Sequence, residues 1–369
     1  MIADMVDGHI PSLIRTAGGW LLTLTVIGSE APQAGDPRLS AIAAQASAAG
    51  VVPAMGIAVV SSKGVRAIGV AGWRKAGDPT PVAVGDQWHI GSCTKMMTAT
   101  VAARLVERGV LRWDVPVATL VAPGKPVAAA WSTVTLDQLL CHRGGLEANC
   151  AWRNLPTRMA AAERVLGVPP ALPVGEFAYS NTGYVLAGAL CERAAGKSWE
   201  DLIAAEVWMP LHMTSAGFGG MGMVGLVDQP WGHLADGTVA GNGPEADNPA
   251  VMGPAGRVHL SLPDWGLFIA DQLRGARGQA GLLTVASYQH LQAPWPGGDY
   301  ARGWVVVGGQ PWARGSAYYH NGSNTMNYAV VWMAPAIDFA VLVTANRGDS
   351  DAACDQAAAA AIGAFASGK

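Results

Sequence analysis

The sequence predicts an α+β fold: an antiparallel sheet of N- and C-terminal strands flanked by helices, with a mainly helical lobe inserted between them. Three observations lead there. β-Rich runs cluster at residues 51–72 and again at 303–345, and a helix-forming stretch stands outside each cluster. The middle carries helical periodicity broken by Gly/Pro-rich loops, residues 217–256 above all. Early and late strands most simply join in one sheet, which closes the chain on itself and leaves a cleft where the middle lobe meets it.

Composition bounds the function. Half of the 369 residues are hydrophobic and 14% are charged, as suits a chain with a large packed core. A net charge of −3 offers no footprint for nucleic acid or an anionic membrane. The five cysteines lack metal-type spacing and read as small buried hydrophobes. The eight histidines form neither H-E-x-x-H nor H-x-H, so neither a metal nor another cofactor is expected. No run reaches the roughly 18 apolar residues of a membrane span.

Arg15 precedes an apolar run over 17–28 and small residues at Ser29 and Ala31, a signal-like order, although Asp4 and Asp7 stand where basic residues belong. The expectation is a signal or N-terminal extension over 1–36 and a single domain over 37–369, its helical lobe near 110–250. A periplasmic or secreted location follows, with the cytoplasm as the alternative.

Residues 37–50 read as a helix with Leu39, Ile42, Ala46 and Ala49 on one face. Residues 51–60 and 64–72 are β runs joined by Ser61-Ser62-Lys63, a hairpin pattern. The helix over 92–109 has Met96, Ala99, Ala103 and Val106 at helical spacing and Gly109 as its stop. It opens with Ser92-x-x-Lys95, which sets a lysine one turn from a serine hydroxyl. Serine needs an adjacent base to act as a nucleophile. A lysine buried near a helix N-terminus gives up its proton readily, which makes the pair a nucleophile and its base. With 17 Ser and 6 Lys in the chain, about 0.3 such spacings arise by chance, so its company decides.

Thr135 and Gln138 form a capping box before Leu139-Leu140, in a segment that ends at Gly144-Gly145. A loop then delivers Tyr179-Ser180-Asn181 to a helix with Val185, Leu186, Ala189 and Leu190 apolar and Gly196 as its stop. Tyr179 and Asn181 can face a cleft from there; the plainer alternative packs Tyr179 on the core and spends Ser180 or Asn181 as an N-cap. Residues 217–256 read as long loops of the kind that border binding sites. Ser261 and Asp264 suggest a second capping box, opening a helix through Trp265, Phe268 and Ile269. Strands follow at 303–308, 316–320, 326–334 and 339–345, then an Ala-rich helix over 352–366. His320-Asn321-Gly322-Ser323 falls where one β run gives way to another; Gly322 permits a close backbone approach and the Ser323 N–H can point into the cleft.

Ser92-x-x-Lys95, Tyr179-x-Asn181 and His320-x-Gly322, in this order on these elements, resemble the serine β-lactamase and penicillin-binding protein superfamily. The likeness is greatest to class C β-lactamases, D-alanyl-D-alanine carboxypeptidases and family VIII carboxylesterases. Leu139-Leu140-Cys141-His142 with Gly144-Gly145-Leu146, Pro210-Leu211-His212-Met213, and Pro254-Ala255-Gly256 before Ser261 add to it, over roughly residues 40–360.

The resemblance implies a β-lactamase/transpeptidase-like fold and acyl transfer. Ser92 would attack a carbonyl, with Lys95 and Tyr179 sharing general-base and proton-shuttle duty and Asn181 holding Lys95 and contacting substrate. The N–H groups of Ser92 and Ser323 would form an oxyanion hole, worth about 3–4 kcal/mol. The implied partner is a small-molecule ester, β-lactam or D-amino-acid peptide. Many β-lactamases of the superfamily carry lysine where His320 stands. A histidine there is ordinarily mostly neutral at pH 7, which points toward esters unless Arg257 or Arg302 supplies the cation. No serine lies in G-x-S-x-G, which disfavours an α/β-hydrolase. A non-catalytic penicillin or peptidoglycan binder is the rival from another class, and it would have no need of Ser92, Lys95 and Tyr179 together.

Overall fold

The computed structural model describes residues 33–152, 155–241 and 243–366; the signal-like run lies outside them. The start of the chain gives β1 (Gln33–Gly35), β2 (Ala54–Ser61) and β3 (Gly64–Gly72) to the main sheet. A short second sheet takes β4 (Gln87–His89), β5 (Gly217–Phe218) and β6 (Val258–Ser261). The end of the chain then returns β7 (Val305–Gln310), β8 (Gly315–Ser323), β9 (Tyr328–Ala334) and β10 (Phe339–Ala345) to the first. The main sheet runs β1-β3-β2-β10-β9-β8-β7, antiparallel throughout. Early and late strands meet at β2 and β10, in register from Val60 opposite Ala340 to Met55 opposite Ala345.

Both faces of this sheet are covered. Ile57, Val59, Val330, Trp332, Val341 and Val343 pack under the terminal helices Pro37–Gly50 and Asp351–Phe365. Their neighbours Ala58, Val60, Val331, Met333, Ala340 and Leu342 point the other way, into a core shared with helix Leu262–Ala276 and the helical lobe. Alternation is therefore perfect in space yet invisible in hydropathy, because inward and outward positions are equally apolar. Among the described residues no helix is long and apolar enough to cross a membrane.

Local chemistry sets the helix ends. Asp36 accepts the N–H groups of Arg38 and Leu39 ahead of Pro37, and Ser180 accepts that of Gly183 ahead of helix Asn181–Ala195. The Thr135–Gln138 box closes on both sides. The Ser261–Asp264 box does not. Ser261 Oγ accepts the Asp264 N–H at 3.3 Å, but the Asp264 carboxylate accepts the Ser215 N–H and O–H at 2.6 and 2.7 Å. The Ser261 N–H goes to Ser215 Oγ instead. The expected pair is half a box, since Ser215 offers the carboxylate two donors where the Ser261 backbone offers one.

Candidate active site

Ser92 sits in a single 3₁₀ turn, Gly91–Cys93, that runs directly into helix Thr94–Glu107. The turn aims Ser92 and Lys95 the same way, and Lys95 Nζ lies 3.0 Å from Ser92 Oγ. The side chain of Lys95 is wholly buried. Nζ also lies 2.7 Å from Asn181 Oδ1 and 2.7 Å from the Ala255 carbonyl oxygen. None of the three partners carries charge. Burial therefore pushes the Lys95 pKa far below its ordinary value. A neutral amine has two N–H donors and one lone pair. Asn181 and Ala255 can only accept from it, so both donors go there and the lone pair is left for the Ser92 O–H.

Tyr179 is buried with its ring 4.9 Å from Lys95 Nζ. Burial raises its pKa above the usual phenol range; the nearby Ser92 hydroxyl tempers the rise without closing a hydrogen bond of ordinary geometry, so the phenol O–H has no partner among the described residues. His142 holds the tyrosine from both sides. Its carbonyl accepts the Ala178 N–H at 2.9 Å, its Nδ1 accepts the Ser180 N–H at 3.0 Å, and its ring packs 4.3 Å from the Tyr179 ring. Asn181, first residue of its helix, gives its other amide atom to Asn149 Oδ1 at 3.0 Å, which fixes which end faces Lys95.

The end of β8 completes the wall. β7 pairs with β8 only over residues 315–319, so the edge from His320 to Ser323 is free to meet the 91–93 turn. The meeting is close. A Cβ on Gly322 would stand 2.5 Å from Ser92 N and collide with the Ile90 carbonyl, while one on Gly91 (φ +49°) would collide with Ser323 N. Glycine at both positions lets the Ser92 and Ser323 peptides lie side by side.

His320 is held neutral by more than its residue type. It is buried, its Nδ1–H donates to the Asn321 carbonyl at 2.6 Å, and its Nε2 accepts from the Tyr300 O–H at 3.0 Å. Burial above all pushes its pKa down to about 3. It is thus neutral across the working range and does not gain charge toward pH 6. Arg302 is no substitute cation. Its guanidinium is committed to Asp137 at 2.8 Å and to the carbonyls of His290 and Ala293. Arg257 follows Gly256, and its Nε donates to Asp247 at 3.0 Å.

The structure thus gathers Ser92, Lys95, Tyr179, Asn181, His320, Gly322 and Ser323 in one place. It adds Tyr300, Asn149, the Ala255 carbonyl and the His142 clamp. Of these the sequence signalled only His142 and Ala255, as parts of short motifs without a role.

A model of the Beta-lactamase family matches residues 39–365. Penicillin-binding protein 4 of Amycolatopsis lactamdurans is 32% identical over 149 residues, 37% of this chain and 37% of that protein. The esterase/beta-lactamase LipL of Mycobacterium tuberculosis is 28% identical over 148 residues, 38% of this chain and 33% of its own. The chain spans about a third of the length of these curated relatives. A class C beta lactamase from Rhodobacter sphaeroides shares the fold, with a TM-score of 0.72 over 89% of this chain and 99% of that one at 19% identity.

Proposed function

The chain belongs to the Beta-lactamase family, and from that premise we propose that it is a serine hydrolase working through an acyl-enzyme on Ser92. The observation that carries the reading is the fully buried Lys95 amine, 3.0 Å from Ser92 Oγ with only neutral acceptors around it. Its lone pair takes the Ser92 proton as Oγ attacks a carbonyl carbon. Negative charge gathers on the carbonyl oxygen, beside the Ser92 and Ser323 N–H groups. Tyr179 stays protonated in the free enzyme, which suits it to pass a proton from Lys95 to the leaving group and to be refilled as the tetrahedral intermediate collapses. Water repeats the steps in reverse and frees Ser92.

Charge sets the substrate class. Neutral His320 offers no cation to a substrate carboxylate, and Arg302 and Arg257 are paired with Asp137 and the buried Asp247, so small uncharged esters are favoured over carboxylate-bearing β-lactams and D-amino-acid peptides. The names of the relatives, penicillin-binding protein and esterase/beta-lactamase, span that same range.

The test is Ser92→Ala, assayed on p-nitrophenyl esters, nitrocefin and D-Ala-D-Ala peptides beside fluorophosphonate labelling of the wild type. Removing a catalytic nucleophile costs about 10⁶ in rate. A folded Ser92→Ala variant that still turns over would overturn the assignment. A wild type that binds penicillin yet is neither labelled nor active would favour the non-catalytic binder.

A further inference from the structure

One buried carboxylate outside the groups used so far touches three segments of the site wall. Asp247 lies in the loop between β5 and β6 with its side chain 1% exposed. Its Oδ1 stands 3.0 Å from His89 Nε2 and accepts from Asn324 Nδ2 at 3.0 Å, while Oδ2 accepts from Arg257 Nε at 3.0 Å. Each partner adjoins a piece of the oxyanion site. His89 precedes Gly91-Ser92, Asn324 follows Ser323, and Arg257 follows Gly256, which packs on Gly91. We propose that Asp247 is a positioning residue for the oxyanion hole: by dictating which way His89 and Asn324 face, it holds the Ser92 and Ser323 N–H donors in register. The proposal rests on the serine-hydrolase reading and deepens it.

The reason is that an ionised carboxylate can only accept hydrogen bonds. An imidazole or a primary amide can turn either a donor or an acceptor to a neighbour. His89 Nδ1 accepts the Gly91 N–H at 3.1 Å, so the ring carries its hydrogen on Nε2, the atom that stands 3.0 Å from Asp247 Oδ1. Asn324 must present its NH₂, which turns Oδ1 onto the N–H groups of Met326 and Asn327 at 3.2 and 2.9 Å and onto Asn327 Nδ2 at 3.2 Å. Those bonds fix the turn by which the chain leaves Ser323. Burial on its own would raise the Asp247 pKa, but His89, Asn324 and Arg257 beside it outweigh that and hold it below the ordinary carboxylate value. The group is ionised wherever the enzyme works. It thus acts as a sorting element, one acceptor that orients a neighbour on each side of the hole.

The experiment compares wild type, Asp247→Asn, His89→Gln and His89→Leu for p-nitrophenyl acetate hydrolysis and for the rate of fluorophosphonate labelling. Thermal unfolding and active-site titration are run in parallel. An asparagine at 247 brings a donor of its own, so His89 and Asn324 can reverse. Loss of one whole oxyanion donor costs about 10²–10³ in kcat; misalignment should cost about 10- to 100-fold, with KM within twofold of wild type. Labelling, which also builds charge in the hole, should slow by a similar factor. His89→Gln keeps an acceptor for Gly91 and a donor for Asp247 and should stay within a few-fold of wild type. His89→Leu has neither and should fall as Asp247→Asn does. A merely structural role would lower the unfolding temperature and the titratable fraction while leaving kcat per titrated site intact, and that result would overturn the proposal. Should Asp247→Asn fail to fold, the His89 pair decides, because equal activity of Gln and Leu would overturn it equally. A wild type that the phosphonate never labels removes the serine-hydrolase reading, and this proposal with it.

Discussion

Asn181→Asp is a nearly isosteric change that tests whether Lys95 acts as a neutral base. It sets a carboxylate where the amide oxygen now lies 2.7 Å from Lys95 Nζ. At an effective dielectric of about 20, two unit charges at that distance attract by about 6 kcal/mol. With about 1.36 kcal/mol per pH unit, this is more than four units of upward pull on the Lys95 pKa. Desolvation of the new carboxylate, and its clash with Asn149 Oδ1, take back part of that. A rise of about two units or more remains. A protonated Lys95 cannot take the Ser92 proton. In the wild type, with Lys95 held far below its ordinary pKa, acylation should be flat across pH 7–9. In Asn181→Asp the pH at which acylation levels off should move up by about two units, with the rate climbing toward about tenfold per unit below it. The assay is the burst of p-nitrophenol from an activated ester, followed by stopped flow from pH 6 to 10. A variant profile parallel to the wild type, however large the loss, would refute the reasoning, since the charge on Lys95 would then not govern the rate.

Two further predictions concern charge elsewhere. With the His320 pKa pushed down to about 3, the ratio of β-lactam to ester kcat/KM should stay flat from pH 8 to 6, measured with nitrocefin and p-nitrophenyl acetate; a ratio rising toward pH 6 would contradict the neutral His320. On helix Asp351–Phe365, burial and the nearby Asp351 push the Asp355 pKa up to about 6. The folded chain therefore holds a proton that the unfolded chain has lost, so stability is highest below about pH 4, declines as pH rises to about 6 and stays lower above. Asp355→Asn should gain about 1–3 kcal/mol in urea unfolding at pH 7.5 and almost nothing at pH 4, and equal gains at both would sink the idea.

Much of the fold was legible because its signals are local. The hairpin turn at Ser61-Ser62-Lys63, the Thr135 box and the Gly196 stop each depend on residues within one or two turns of one another. Even the plainer alternative at residue 180 was right in part: Ser180 is the N-cap, and by capping it leaves Tyr179 and Asn181 free to face Lys95. What stayed hidden is what the chain assembles at a distance. β1, β4 and β5 are three residues or shorter, too brief for any periodicity. Tyr300 and Asp247 lie in aperiodic Gly/Pro-rich stretches, and their partners His320, Asn324 and His89 are set opposite them only by the closed sheet and its loops. The depressed pKa of His320 follows from burial, which its residue type does not announce.

The pairing of β2 with β10 also has a consequence for synthesis. Gly56 and Thr344, linked across those strands, stand 288 positions apart in the chain. Until the last strand leaves the ribosome, the β2–β3 hairpin has an open, almost wholly apolar edge along Ala54–Ser61. Closing so long a loop is slow, and hairpins left waiting can pair with their own kind in a neighbouring chain. The same register that brings both ends of the chain into one sheet makes its last strand the step on which soluble yield depends.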